Sequence, residues 1–276
     1  MSQMKLLAVD LDRTCLDSRD QVRQSTLDAL RAAVAAGVSV VIATGRNLLG
    51  IPKVLRELPG VRYAITSNGA AIFDLASGKA IYEKCIPMAR AAALLRAAEE
   101  MNIPRSVTVG PDVIDTTPEV YEIRHTFFHD YAESLYAENL VSYLQERGEE
   151  PAKLHFLYMR KYDSAPIYER LRAEPGIAFT GDLTGHTEVV AEGVDKGAAL
   201  AQLAEGLGIS REETAAVGDS DNDVTMLRWA ALSVAMGGAP NHVRAAARFQ
   251  TADCDHDGLA RAVEMLLSPQ TSALQK

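Results

Sequence analysis

Several short, mostly apolar runs in this chain each end abruptly on residues that carry chemistry. Met4–Val9 stops at Asp10, Val38–Ala43 at Thr44-Gly45-Arg46, Tyr63–Thr66 at Ser67-Asn68-Gly69, and Thr214–Val217 at Gly218-Asp219. Runs this short and apolar fit strands buried on both faces, the habit of parallel sheets. Between the first two lies Ser25–Ala36, which reads as a helix. Leu27, Leu30 and Val34 line one face, Ser25 and Asp28 form a candidate capping box, and Gly37 offers a stop. Strand–helix alternation of this kind predicts a parallel sheet joined by right-handed crossovers.

The end of the chain repeats the grammar. Helices are expected over Asp195–Gly208, Met226–Ala231, Asn241–Ala247 and Leu259–Leu267, with a further strand over Ala231–Ala235. The middle does not follow it. From Cys85 to His186 expected helices (Ala89–Met101, Tyr131–Arg147) mix with expected strands (Ser106–Val109, Lys153–Met159), and most of the aromatic residues gather there. The expected architecture is therefore a doubly wound, Rossmann-like α/β core from residues 1–84 and 187–276, with a second α/β domain inserted at 85–186. A chain of 276 residues is long enough for two modest domains.

In an open α/β sheet, ligands sit beyond the carboxyl ends of the strands. Asp10, Asp12, Thr44, Ser67, Asn68, Asp219 and Asp223 are thus expected to converge on one crevice. Four carboxylates there would repel one another unless a cation joined them, and oxygen ligands suit Mg²⁺. Lys196, at the start of an expected helix, supplies a second positive charge. Together these let a dianionic phosphate approach a carboxylate. Asp10 can then attack phosphorus to form an aspartyl-phosphate. Asp12 is placed to protonate the leaving oxygen and later to deprotonate water. Thr44 and the loop amides would hold the transferring phosphoryl oxygens.

The net charge of −9 argues against nucleic acid or an anionic membrane surface as the main partner. No run of about 18 apolar residues occurs, so no membrane span is expected. Three widely spaced cysteines, Cys15, Cys85 and Cys254, suggest no disulfide framework and fit a reducing cytoplasm. His125 and His129 have helical spacing but lack a third partner for zinc, and read as surface or substrate-facing residues. Asp221 reads as a solvent-facing loop acid.

Asp10-Leu11-Asp12-Arg13-Thr14, Thr44-Gly45-Arg46, Ser67-Asn68-Gly69-Ala70, Asp195-Lys196-Gly197 and Gly218-Asp219-Ser220-Asp221-Asn222-Asp223 occur in the order of the haloacid dehalogenase superfamily. The chain resembles its Cof-type phosphatases, which carry a large α/β cap where the insertion is expected here. The resemblance implies Asp10 as nucleophile, Asp12 as acid–base, and Thr44 and Lys196 as phosphate ligands. Gly45, Arg46, Ser67 and Asn68 join the phosphate and substrate contacts. Asp10, Asp219 and the carbonyl of Asp12 are implied magnesium ligands, with Asn222 and Asp223 in or beside the metal site. The cap would close over the crevice and select the leaving group, and Arg124, His125, Lys153 and Tyr158 are candidates for that selection.

Two positions depart from the family pattern. Arg13 stands where the family usually has glycine, and Gly238 where Met-Gly-Asn-Ala is common. The expected substrate is a small phosphorylated metabolite such as a sugar phosphate, handled by a monomer or small homo-oligomer. A phosphotransferase or mutase on the same scaffold, and a phosphate-sensing protein without turnover, are the alternatives.

Overall fold

A computed structural model describes residues 4–128, 134–158, 163–181 and 185–268. His129, Tyr131 and Met159 lie outside the described residues. The chain divides into two compact units. Met1–Gly45, Ile51–Ile81 and Asp195–Lys276 make the first, and Arg46–Gly50 with Tyr82–Val194 the second.

Strands β1 (Leu6–Asp10), β2 (Ser39–Ala43), β3 (Val61–Thr66), β4 (Ala71–Asp74) and β5 (Lys79–Glu83) come first in the chain. The second unit supplies β6 (Arg105–Val109), β7 (Asp112–Asp115), β8 (Ser134–Tyr136), β9 (Lys153–Leu157), β10 (Ile177–Gly181) and β11 (His186–Ala191). The chain closes with β12 (Thr214–Gly218), β13 (Leu232–Ala235) and β14 (Phe249–Gln250). Among the described residues, one eight-stranded sheet runs β14-β13-β12-β1-β2-β3-β4-β5, and a six-stranded sheet runs β10-β11-β9-β6-β7-β8.

The strands from β14 to β3 are parallel, as the short apolar runs predict. All five residues of β1 are buried. Fully burying a Leu or Val side chain contributes about 1.5–3 kcal/mol, so this strand anchors the sheet. It also marks the switch point, because the chain winds from β1 toward β2 on one side and later adds β12 on the other. The Ser67-Asn68-Gly69 loop proves to be a reversal as well, since β4 returns antiparallel to β3.

Several expectations shift. The first helix spans Gln24–Ala35 with Arg23 at its N-cap, so no capping box forms at Ser25. The Ser25 hydroxyl instead donates to Asp257 at 2.7 Å. The helix expected from Tyr131 begins only at Leu140, where Asn139 caps it by accepting from the Ser142 amide, and Ser134–Tyr136 upstream is a strand. The helix expected over Asn241–Ala247 is a single turn, Asn241–Arg244.

The long insertion is bounded at 81/82 and 194/195, rather than at 84/85 and 186/187, and the short segment Arg46–Gly50 groups with it. The second difference has a clear cause. β11 pairs antiparallel with β9 and β10, so it completes the inserted sheet and does not begin the core.

Candidate active site

Sheet order fixes which strand ends are neighbours. With β12, β1, β2 and β3 side by side, Asp219, Asp10, Thr44 and Ser67 follow one another along one edge. Asp10 is the last residue of β1 and is buried. Asp219 follows β12 directly.

Lys196 ties the acids together. Its ammonium is wholly buried and donates to Asp10 Oδ1 and to Asp223 Oδ1, both at 2.6 Å. It opens the helix Lys196–Gly206, capped by Asp195, whose side chain accepts from the Ala198 amide at 2.8 Å. Burial alone would push the Lys196 pKa down, but Asp10 and Asp223 outweigh it and hold it above the ordinary lysine range.

Asp223 uses its other oxygen to accept from the amides of Asp219 and Ser220, each at 2.9 Å. It therefore shapes the turn that presents Asp219, and both its oxygens are engaged. The Thr14 hydroxyl donates to Asp219 Oδ1 at 3.1 Å. Thr14 and Ser220 were not singled out in the sequence. The hydroxyl two residues past Asp12 was the available signal for the first.

Asp10 Oδ2 is buried and has no hydrogen-bond partner. Burial first, then the charge of Asp223, push the Asp10 pKa well above the usual carboxylate range; Asp219 and Asp12 add to this, and Lys196 opposes it. Burial and Asp223 likewise raise Asp219 to about 6. Oxygens of Asp10, Asp219 and Asp223 lie within 4.8 Å of one another. An orphaned carboxylate oxygen beside carboxylates that outnumber the one buried ammonium is a donor set that fits a hard divalent cation.

The loops after β2 and β3 are stitched to the same place. Thr44 donates its amide to the Ile65 carbonyl at 2.8 Å, and its own carbonyl accepts from the Asn68 amide at 3.1 Å. Asn222 Nδ2 donates to Asn68 Oδ1 at 2.9 Å. A Cβ on Gly45 would stand 2.8 Å from that same Asn68 oxygen, so only glycine lets the two loops meet without a shift. Ser67 and Asn68 both adopt left-handed backbone, at φ 51 and 58. Such residues cost of order 1–3 kcal/mol each and concentrate where function requires the geometry. Gly69, at φ +105, continues the turn, and a Cβ there would clash with the Asp195 carbonyl at 2.3 Å. The Ser67 hydroxyl is buried and has no hydrogen-bond partner.

The remaining expected residues lie as follows. Asp12 is half-buried, in the turn after β1, and Arg13 beside it is exposed at φ 59. Arg46 is buried, donates to the Gly50 carbonyl at 3.3 Å and groups with the second unit. Within that unit, Arg124 is buried against Asp115 and also donates to Ser134. Lys153 is buried in an ion pair with Glu188, and Tyr158 is wholly buried. His125 is half-buried beside Tyr121. The Cys15 thiol is pushed well up by burial and then by Asp10, which fits packing and not nucleophilic chemistry. Asp221 is exposed, as expected, and pairs with His242.

Known proteins match this chain along most of its length. The profile of the haloacid dehalogenase-like hydrolases matches residues 7–263. Phosphatase YwpJ of Bacillus subtilis is 29% identical, covering 96% of this chain and 100% of its own. The 5-amino-6-(5-phospho-D-ribitylamino)uracil phosphatase YcsE of the same organism is 30% identical, with 94% of each chain covered. Among solved structures, a subclass IIB sugar phosphatase of the same superfamily superposes with a TM-score of 0.79 at 28% identity, over 95% of this chain and 98% of that one.

Proposed function

Because this chain belongs to the haloacid dehalogenase-like hydrolases, it is a phosphoric monoester hydrolase, and we propose that it acts with Asp10 as nucleophile, Asp12 as acid–base and Mg²⁺ as cofactor. The observation that carries this reading is the state of Asp10. One carboxylate oxygen is held by the Lys196 ammonium, while the other is buried without a hydrogen-bond partner, so its lone pairs are uncommitted.

The chemistry follows from the groups around it. An Asp10 oxygen bonds to phosphorus as the ester P–O bond breaks, and Asp12 gives its proton to the leaving oxygen. Water then attacks phosphorus, Asp12 takes its proton, and Asp10 leaves as a carboxylate. Lys196 keeps Asp10 oriented and offsets charge as the phosphate dianion enters. The Thr44 and Ser67 hydroxyls would hold phosphoryl oxygens, from loops that Gly45 and Asn68 fix before the group arrives, which favours the transition state.

Asp10, Asp219 and the Asp12 carbonyl would hold Mg²⁺, with Asp223 bracing the turn that presents Asp219 and Asn222 tying that turn to Asn68. When bound, the ion would neutralise charge developing on the phosphoryl oxygens. The substrate class is a small phosphorylated metabolite, in keeping with relatives named for a sugar phosphate and for a phosphorylated ribitylamino-uracil. Three unpaired cysteines favour the cytoplasm.

The test is release of free phosphate from an aryl phosphate and from sugar phosphates. Wild-type protein should lose turnover on chelation and regain it with Mg²⁺, with Ca²⁺ a poor substitute. Asp10→Asn should abolish release while circular dichroism stays unchanged. Substantial turnover by Asp10→Asn would remove Asp10 from the nucleophile's role.

A further inference from the structure

The two departures from the family motifs, Arg13 and Gly238, line the same cavity of about 410 Å³ in the core unit. Asp219 and Met236 form one part of its wall, and Asp253, Cys254 and Asp255 another. Met236 and Gly238 follow the carboxyl end of β13, and residues 253–255 come just after β14. The cavity therefore continues the catalytic edge of the sheet past Asp219, toward β14.

Its charges are not equally free. Asp219 accepts from Thr14 at 3.1 Å. Asp255 accepts from the Ser18 amide at 3.0 Å, and Asp253 from the amides of Asp255 and His256 and from the His256 ring. Among the described residues, the Arg13 guanidinium has neither a hydrogen bond nor an ion pair. Its charge is nonetheless felt inside the cavity. Burial raises the Cys254 thiol and Asp255 adds to that, while Arg13 opposes both. A Cβ on Gly238 would meet nothing nearer than Asp253 Cβ at 3.9 Å, so the space a side chain would take there is open. One departure thus clears room, and the other adds an uncommitted cation.

We infer that this cavity is a subsite for a second anionic group of the substrate, a phosphate or a carboxylate, with the Arg13 guanidinium as its counter-charge. A guanidinium suits both anions, because its planar fork matches their paired oxygens. The inference rests on the proposed phosphatase reading, since the first phosphoryl group must sit at Asp10 for the second anion to reach past Asp219.

Arg13→Gly and Arg13→Asn are suitable variants, because glycine and asparagine tolerate the positive φ of 59 found there. Two substrate pairs isolate the second anion: glucose 6-phosphate against 6-phosphogluconate, and fructose 6-phosphate against fructose 1,6-bisphosphate. The wild type should favour the second member of each pair in kcat/KM. Both variants should lower that preference about tenfold, the lower range for a single pocket contact, mainly through KM. Arg13→Lys should keep part of it. Calorimetric binding of the same pairs to Asp10→Asn protein, with and without the Arg13 change, decides the subsite independently of turnover. If the reading of Asp10 is wrong, Asp10→Asn retains activity; if the subsite is wrong, the preference is unchanged by Arg13→Gly and Arg13→Asn. A loss of inhibition by inorganic phosphate that affects both members of each pair equally would mean a site for free phosphate, and would also overturn the inference.

Discussion

At the scale of single residues, Lys196 is the point where local preference and function oppose each other. A cation at a helix N-terminus faces the positive end of the macrodipole, an unfavourable term of about 0.3–1 kcal/mol. Two carboxylates at 2.6 Å outweigh it, which is why a buried ammonium persists there. The motif order singled out Lys196, with the expectation of a phosphate ligand. Its simultaneous grip on Asp10 and Asp223 was not legible, because it depends on three segments meeting in space. Lys196→Met should therefore do two things. It leaves Asp10 and Asp223 buried without their counter-ion, a loss of about 3–5 kcal/mol that a urea titration at neutral pH would read. It should also cut turnover on every substrate by roughly 10²–10³, the usual effect of losing one preorganised contact to the reacting group. A variant of wild-type stability would show that the two pairs contribute no net stabilisation.

Among the elements, the inserted sheet carries a buried polar cluster across β9 and β11. Lys153 pairs with Glu188, and the rings of His155 and His186 meet edge to face at 5.0 Å. Burial would raise the Glu188 pKa, but Lys153 first, then His155 and His186, bring it down to about 2 from an ordinary 4.5. The folded value is depressed, so its contribution is complete above the ordinary value and disappears as pH falls toward the folded one. A shift of that size is worth roughly 3 kcal/mol. Lys153→Met should be less stable than wild type by about that amount at pH 7, and the gap should narrow between pH 4.5 and 2. Urea midpoints across that range would show it, and a gap independent of pH would assign the loss to packing instead. In the sequence, β9 reads as a strand, but nothing there says that β11 pairs with it. His186–Ala191 ends in the same kind of apolar run as a core strand, and only its antiparallel pairing with β9 and β10 gives it to the inserted sheet.

For the molecule as a whole, what was legible is what repeats along the chain: short apolar runs, each followed by its catalytic loop. What was not legible depends on pairing between distant segments, such as the antiparallel return of β4, the joints between the units, and the saturation of Asp223. The same distinction bears on the proposal that residues of the second unit choose substrates. Arg124 and Tyr158 were candidates by residue type, yet both are buried within that unit, Arg124 against Asp115. His125 and His186 are half-buried and keep some access to solvent. Every substrate shares the phosphoryl group and differs in the leaving group, so the two units should answer differently to mutation. Changes at Asp12, Thr44 or Asp219 should lower kcat/KM for all phosphate esters by a common factor. Changes at His125 or His186 should reorder the esters, each contact shifting close analogues by about 1–3 kcal/mol. Arg124→Ala should mainly destabilise the protein, because it strands a buried carboxylate. The measurement is kcat/KM for each variant against a panel of sugar, nucleotide and aryl phosphates, with melting temperatures alongside. If the His125 and His186 variants scale every ester equally, or if Arg124→Ala reorders them at unchanged stability, selection of the leaving group rests on other residues.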